Sequence, residues 1–151
     1  MTVRNKIKIL LGLLFIMAVF FPFFKIQAAT EFITTIKQSG GNFSTLSSWE
    51  STLSTANLDL TLATTKVFSH AGITGSISAS STVTGLTSGA TGGAVYTTNS
   101  QILIKNIIGT FQAGEQVRVD GSNYVTISDA GDSAIATAQI DGAWTSADTT
   151  A

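Results

Sequence analysis

Short runs of β-branched residues that end at glycine turns constrain this chain more than any other feature of its sequence. From Thr30 onward there is no proline, and runs such as QILIKNII (101–108) suit a pleated sheet. Asp120–Gly121 stands between two such runs, and Asp-Gly is a strong signal for a β-hairpin. Val117 and Val119 then share one face of their strand. The pattern predicts an all-β fold, as a small antiparallel sandwich or barrel.

One short helix is predicted near the start of this β-rich region. Leu46, Trp49 and Leu53 follow each other at helical spacing and mark one apolar face. Ser47 and Glu50 have the S-x-x-E spacing of a capping box. The strands predicted around the helix are TEFITTIK from Thr30, a half-buried strand with Leu58, Leu60 and Leu62, a weak strand with Ile73 and Ile77, the hairpin GAVYTT–QILIKNII, and SAIATAQI.

The first 29 residues have the order of a secretory signal peptide. A basic start (4–8) precedes the apolar run Ile9–Phe24, and the small residues Ala28 and Ala29 then offer a cleavage site. The alternative is an uncleaved membrane anchor, although the run is shorter than the roughly 20 residues that a spanning helix needs. We therefore predict a signal peptide at 1–29 and a secreted or cell-surface protein with no membrane span after cleavage.

Removal of this leader changes the charge and divides the rest of the chain. Four cations then remain against nine acids, which gives a net charge of −5. Such a chain lacks the basic patch that nucleic acids require. We predict a β-rich domain at 30–140, and a segment at 141–151 that is a polar tail or the start of a missing continuation.

Cysteine is absent from the sequence. Disulfides, zinc-thiolate sites and thiol nucleophiles are therefore excluded. No other cofactor motif is present, so no cofactor is predicted. An exported domain without disulfides fits a bacterial source better than a disulfide-stapled animal module.

The glycine-dense stretch TVTGLTSGATGG (82–93) raises the question of phosphate binding. A phosphate loop needs a lysine directly after its last glycine, and this chain has no lysine between Lys66 and Lys105. The stretch is therefore predicted to be a structural turn. The glycines assigned to structural turns are Gly85, Gly89, Gly92, Gly93, Gly114 and Gly121.

Few residues are candidates for a catalytic, metal-binding or partner-binding role. His70 is the single histidine, and its setting FSHAG predicts a turn-like surface or strand-end position. Asp129 and Asp132 lie in SDAGDS, which is typical of a solvated turn and is otherwise a weak calcium candidate. Trp49 packs on the predicted helix face, whereas Trp144 lies in the polar tail and is the best candidate for contact with a partner.

Two segments resemble known bacterial and phage proteins. The segment 83–127 resembles a small Gly/Thr-rich β-module of phage structural and bacterial surface proteins. The carried residues are Gly85, Gly89, Ala90, Thr91 and Gly92, then Gly109, Thr110, Phe111, Gly114, Glu115 and Val117. GGNFSTLSSWESTL resembles the opening of bacterial secreted β-helix surface proteins, through Gly41, Phe43, Leu46, Trp49 and Glu50. Both resemblances imply display or assembly and carry no catalytic residue.

The sequence thus predicts a non-enzymatic structural, adhesive or appendage-type surface protein. Its expected partners are copies of itself or a cell-surface molecule. One alternative is a secreted carbohydrate-binding or carbohydrate-active domain that uses Trp49, Trp144 and the Asp129/Asp132 loop. Another alternative is the N-terminal fragment of a larger β-helical surface protein.

Overall fold

A closed six-stranded barrel forms the centre of the fold in a computed structural model. The structure describes residues 29–55, 58–120, 123–142 and 144. Its elements are β1 (Thr30–Ile36), α1 (Leu46–Thr55), β2 (Lys66–Thr74), β3 (Thr82–Gly85), β4 (Thr91–Thr97), β5 (Gln101–Ile108), β6 (Gln116–Val119), β7 (Asn123–Ile127) and β8 (Ala134–Ile140). The predicted all-β fold with one short helix is confirmed.

Every pair of neighbouring strands in the barrel is antiparallel. The strand order is β2-β5-β4-β3-β6-β7, and β7 closes the barrel against the second half of β2. The β4–β5 hairpin and the hairpin after Val119 both form as predicted. Asp120 has a φ of 43°, which matches the left-handed turn conformation that an Asp-Gly pair favours.

The first and last strands form a separate two-stranded sheet. β1 and β8 run parallel, from Thr30 opposite Ala134 to Ile36 opposite Ile140. Both strands are predicted from the sequence, but their pairing with each other is not. The pairing joins the two ends of the described chain. It places a second layer against the outside of the barrel.

Two apolar cores use opposite faces of the same barrel strands. Phe68, Ile102 and Ile104 point into the barrel, where Phe68 packs edge-on against Phe111 with ring centroids 5.3 Å apart. Their chain neighbours Val67 and Leu103 point outward to a second core. Phe32, Val95, Ala134 and Tyr96 complete that outer core together with Leu53, Leu58 and Leu60. Successive side chains along β2 and β5 point to opposite faces. These two strands therefore contribute to both cores and join the barrel to the β1–β8 layer.

The helix α1 is capped two residues earlier than its sequence suggests. Thr45 Oγ1 accepts the backbone N–H of Ser48 at 3.0 Å, and Ser48 Oγ accepts the backbone N–H of Thr45 at 3.3 Å. This is the reciprocal arrangement of a capping box. The box predicted at Ser47 and Glu50 is therefore wrong, because the helix already begins at Leu46.

A loop replaces the strand predicted around Leu58, Leu60 and Leu62. Asp59 Oδ1 accepts both the backbone N–H and the hydroxyl of Thr61, at 2.9 and 2.6 Å. This local turn competes with strand formation. Leu62 is left exposed, and β2 begins only at Lys66.

The separate weak strand predicted around Ile73 and Ile77 is also wrong. β2 continues through Ile73 as far as Thr74, and Ile77 packs against the barrel core from the following loop. Residues 1–28 of the predicted leader lie outside the described residues. Among the residues that are described, no helix has the length and apolar character to cross a membrane.

Gly131 offers a test of the packing between the barrel and the last loop. Its φ is +76°, and an added Cβ would collide with the Phe68 ring. We expect Gly131→Ala to lower the free energy of unfolding by about 2–4 kcal/mol, since backbone strain and overpacking add. Gly40→Ala is the control, because Gly40 has a similar φ of +77° and nothing within 4 Å. If chemical denaturation shows equal losses of unfolding free energy for the two variants, the packing role of Gly131 is contradicted.

Candidate functional site

The buried carboxylate of Glu115 joins the glycine-rich turn after β3 to the turn before β6. Its Oε2 accepts the backbone N–H groups of Thr87 at 3.2 Å and Ser88 at 3.1 Å. Its Oε1 accepts the backbone N–H of Gln112 at 2.6 Å and the Ser88 hydroxyl at 2.9 Å. Burial raises the pKa of Glu115, but these hydrogen bonds together lower it below its usual value. The carboxylate is therefore a structural bridge and stays ionised.

Gly85 makes room for this bridge. A Cβ at Gly85 would lie 2.5 Å from Ser88 Oγ and 2.6 Å from Glu115 Oε2, so only glycine permits the close approach. Ser88 Oγ also accepts the backbone N–H of Ala90 at 3.1 Å. The stretch that raised the question of phosphate binding thus directs its N–H groups to a carboxylate of its own chain.

The other glycines assigned to turns fall in different places. Gly89 and Gly114 have φ values of +70° and +81° and lie in the two turns that Glu115 joins. Gly92 and Gly93 lie inside β4 instead, so a turn there is wrong. The register of β4 against β5 shifts at Gly92, where an added Cβ would lie 2.6 Å from Ile104 Cγ2. Gly121 lies outside the described residues.

His70 lies within β2 and is only 6% exposed. The predicted turn-like surface position is wrong, because the strand continues through His70 and changes partner there from β5 to β7. Its Nε2 lies 3.2 Å from the Thr98 carbonyl oxygen, which can only accept, so Nε2 carries the proton. Its Nδ1 is buried and makes no hydrogen bond. Burial lowers the pKa of His70, and backbone hydrogen bonds at Thr98 and Gln101 oppose that shift.

A cleft of about 470 Å³ adjoins His70. Besides the imidazole, uncharged side chains line it: Ile33, Asn42, Ser69, Thr98, Asn99, Ser100 and Gln101. Because Nδ1 is shielded and Nε2 is bonded to a carbonyl, the imidazole is not placed to take a proton from a molecule in the cleft. The lining can supply neutral hydrogen bonds.

Asp129 and Asp132 hold the loop before β8. Asp129 Oδ2 accepts the backbone N–H of Ser69 at 3.0 Å, and Oδ1 accepts that of Gly131 at 3.0 Å. Asp132 Oδ2 accepts the hydroxyl of Thr30 at 3.0 Å. In the described part of the chain, no three or more His, Asp or Glu side chains gather as metal ligands. The weak calcium site at this loop stays a prediction.

The two tryptophans do not form an exposed platform. Trp49 and Trp144 are both half-buried, and the indole nitrogen of each is shielded from solvent without a hydrogen bond. Partner contact through Trp144 therefore stays a prediction.

The free edge of β1 is closed by side chains and by a short loop. Gln101 Oε1 accepts the backbone N–H of Ile33 at 3.2 Å, and Gln101 Nε2 donates to the Glu31 carbonyl at 2.8 Å. Asn42 Oδ1 accepts the backbone N–H of Thr35 at 2.9 Å. Phe43 then bonds to the backbone of Thr35 and Lys37. This edge presents few backbone groups to another strand.

The outer edge of β8 is open. The Thr30 N–H donates to the Ser133 carbonyl, and the Asp141 N–H donates to the Ile36 carbonyl, so odd-numbered residues of β8 direct their backbone groups toward β1. The even-numbered residues Ala136, Ala138 and Ile140 direct theirs to the other side. There they make no hydrogen bond within the described residues. β8 also contains no proline and no charged residue.

Neither Glu115 nor the contrast between the two edges is predicted from the sequence. Glu115 stands in the quoted motif GTFQAGEQV, but donors to its carboxylate lie 27 positions away at Ser88. A lone acid directly before the strand that carries Val117 and Val119 is the available signal. Comparison with protein-family models, curated proteins and solved structures gives no match.

The Glu115 bridge predicts a large effect of a nearly isosteric change. Glu115→Gln places an NH₂ group among donors, so at least one buried N–H loses its acceptor. We expect a loss of about 2–4 kcal/mol in the free energy of unfolding at pH 7. Glu50→Gln makes the same change at an exposed helix carboxylate and should leave stability nearly unchanged. Similar denaturation midpoints for the two variants would contradict the bridge.

His70 predicts a pH dependence of stability. Its native pKa lies below the ordinary value of 6.5, so the unfolded chain binds a proton more readily than the native protein. The free energy of unfolding should therefore fall as the pH drops below 6.5. Carboxylates titrate mainly at lower pH, since their ordinary values are 3.8 and 4.5. In urea titrations from pH 7 downward, His70→Gln, which keeps a donor for the Thr98 carbonyl, should flatten this slope. An unchanged dependence of the unfolding free energy on pH would contradict the assignment of this dependence to His70.

Proposed function

We propose that this protein is an exported, non-enzymatic structural protein of the cell surface that assembles through the outer edge of β8. The contrast between the two edges of the β1–β8 sheet carries this proposal. Gln101, Asn42 and Phe43 close the edge of β1, whereas the outer backbone donors and acceptors of β8 have no partner among the described residues. An open, uncharged edge is a template for another strand.

The arrangement of the buried polar groups supports a structural role. Glu115 joins two turns, Asp129 and Asp132 hold a loop to β2 and β1, and His70 bonds to a carbonyl. Each of these groups is committed to a contact within the chain. Export rests on the signal peptide expected at 1–29, and the resemblance of 83–127 to surface and phage modules supports display.

A glycan-binding domain is the second candidate. The uncharged amide and hydroxyl groups of the cleft beside His70 favour it, because neutral hydrogen-bonding groups suit sugar hydroxyls. In this case the recognising residues are those of the cleft rather than Trp49 and Trp144.

A proline in β8 tests the proposed assembly. The N–H of Ala138 faces the open edge, so Ala138→Pro removes an outward donor and leaves the β1 ladder intact. In its native cells, the full chain should be found at the surface with its leader removed. We expect the proline variant to lose the assembled form, so that chemical cross-linking of intact cells and quantitative immunoblotting should show at least several-fold less cross-linked protein than in the parent.

Ala138→Val is the matched control, since it adds bulk at the same position and keeps the N–H. It should keep the cross-linked form, and thermal unfolding should show that both variants are folded. An unchanged cross-linked fraction for the folded proline variant would contradict assembly through β8. Equal capture of parent and proline variant on polysaccharide would then favour glycan binding.

A further inference from the structure

We infer that the partner at the β8 edge is a second copy of this chain, paired antiparallel about a two-fold axis at Thr137. The inference rests on the proposed function and names its partner. Two copies would form one continuous four-stranded sheet, β1-β8-β8-β1. The partner of β8 is therefore β8 of the second copy, which pairs through the same outer edge.

Backbone geometry allows this register. In an antiparallel pair, residues that exchange both hydrogen bonds alternate with residues that exchange none. The outward groups of Ala136 would meet those of Ala138 in the second copy, on both sides of the axis. Thr137 would then face Thr137 of the second copy as a pair without hydrogen bonds, which brings their side chains close together.

The side chains of β8 are complementary to themselves in this register. Ala134 is 5% exposed and lies opposite Ile140 of the second copy, which is 63% exposed in the single chain. A small residue thus faces a large one on the side of the sheet that carries the buried Phe32 and Ile36. On the other side, the exposed Ile135 lies opposite Gln139. Pairing would cover isoleucine surface that the single chain leaves in water.

Charge does not oppose the contact. β8 carries no charged residue, and at its end Asp141 pairs with Lys37 at 2.8 Å. Two copies would bring no unpaired like charges into the ladder. A strand edge without lysine or inward-pointing charge lacks the usual protection against self-pairing.

The closed edge of β1 limits the assembly to two copies. In the four-stranded sheet both outer edges are β1 strands, whose backbone groups are occupied by Gln101, Asn42 and Phe43. A third copy would have to displace these contacts. The same edge contrast thus predicts a closed two-fold dimer rather than an open filament.

Cysteine cross-linking tests both the partner and the register. The chain has no cysteine, so every cross-link reports an introduced residue. In the exported full chain, oxidation of Thr137→Cys should yield mostly covalent dimer, because the two sulfurs meet at the axis. Thr126→Cys, at an exposed position of β7, should yield no covalent dimer. Before oxidation, size-exclusion chromatography should show twice the monomer mass.

A mixed pair of variants fixes the register independently. Ile135→Cys and Gln139→Cys should each cross-link weakly alone and strongly when mixed, since each faces the other across the axis. This pair also keeps the test decisive if Thr137→Cys unfolds. The inference of a second copy would be overturned if neither Thr137→Cys nor the mixed pair cross-links and the parent protein is a monomer.

The two proposals fail in different ways. If these cysteines do not cross-link but Ala138→Pro still reduces the chemically cross-linked assembly on cells, β8 binds a different chain, and only the inference about the second copy is overturned. If Ala138→Pro leaves that assembly unchanged, assembly through β8 and with it the proposed function are overturned.

Discussion

A single buried carboxylate organises the half of the barrel that contains the glycine-rich turn. Glu115 gathers N–H groups from Thr87, Ser88 and Gln112, and thereby fixes the ends of β3 and β6, which pair with each other. Without an acceptor at this point, the two turns would leave several part-buried donors without a protein partner. The negative charge is stable here because several dipoles are directed toward it.

The barrel wall formed by β2 and β5 carries the second layer. Alternation along these strands sends Phe68 and Ile104 inward and Val67 and Leu103 outward. The outer core is finished by aromatic contacts: Phe43 stacks on Tyr96 at 4.8 Å, and the Tyr96 hydroxyl donates to the Asn42 carbonyl at 3.0 Å. Asn42 and Phe43 are the residues that also close the edge of β1, so packing and edge protection share one loop.

Local signals in the sequence predict the elements of the fold well, and its long-range partnerships poorly. The Asp120–Gly121 hairpin and the alternating run 101–108 are recognisable because their signals lie within a few residues. The Leu58–Leu62 alternation misleads, since the Asp59 side chain forms a local turn that the apolar pattern does not reveal. For the candidate sites, sequence finds His70 and the Asp129/Asp132 loop but not their burial or bonding. The Glu115 bridge and the parallel pairing of β1 with β8 depend on folding that spans much of the chain.

The pairing of the first strand with the last also has a consequence for the order of folding. Thr34 and Thr137 are in contact across 103 positions of sequence, so β1 lacks its strand partner β8 until almost the whole domain has been synthesised. Contacts of such high sequence separation form slowly. A nascent chain would thus keep its N-terminal segment extended while the barrel strands are still being made. For the proposed export of an unfolded chain, this delay is an advantage, because the layer that locks the structure forms last.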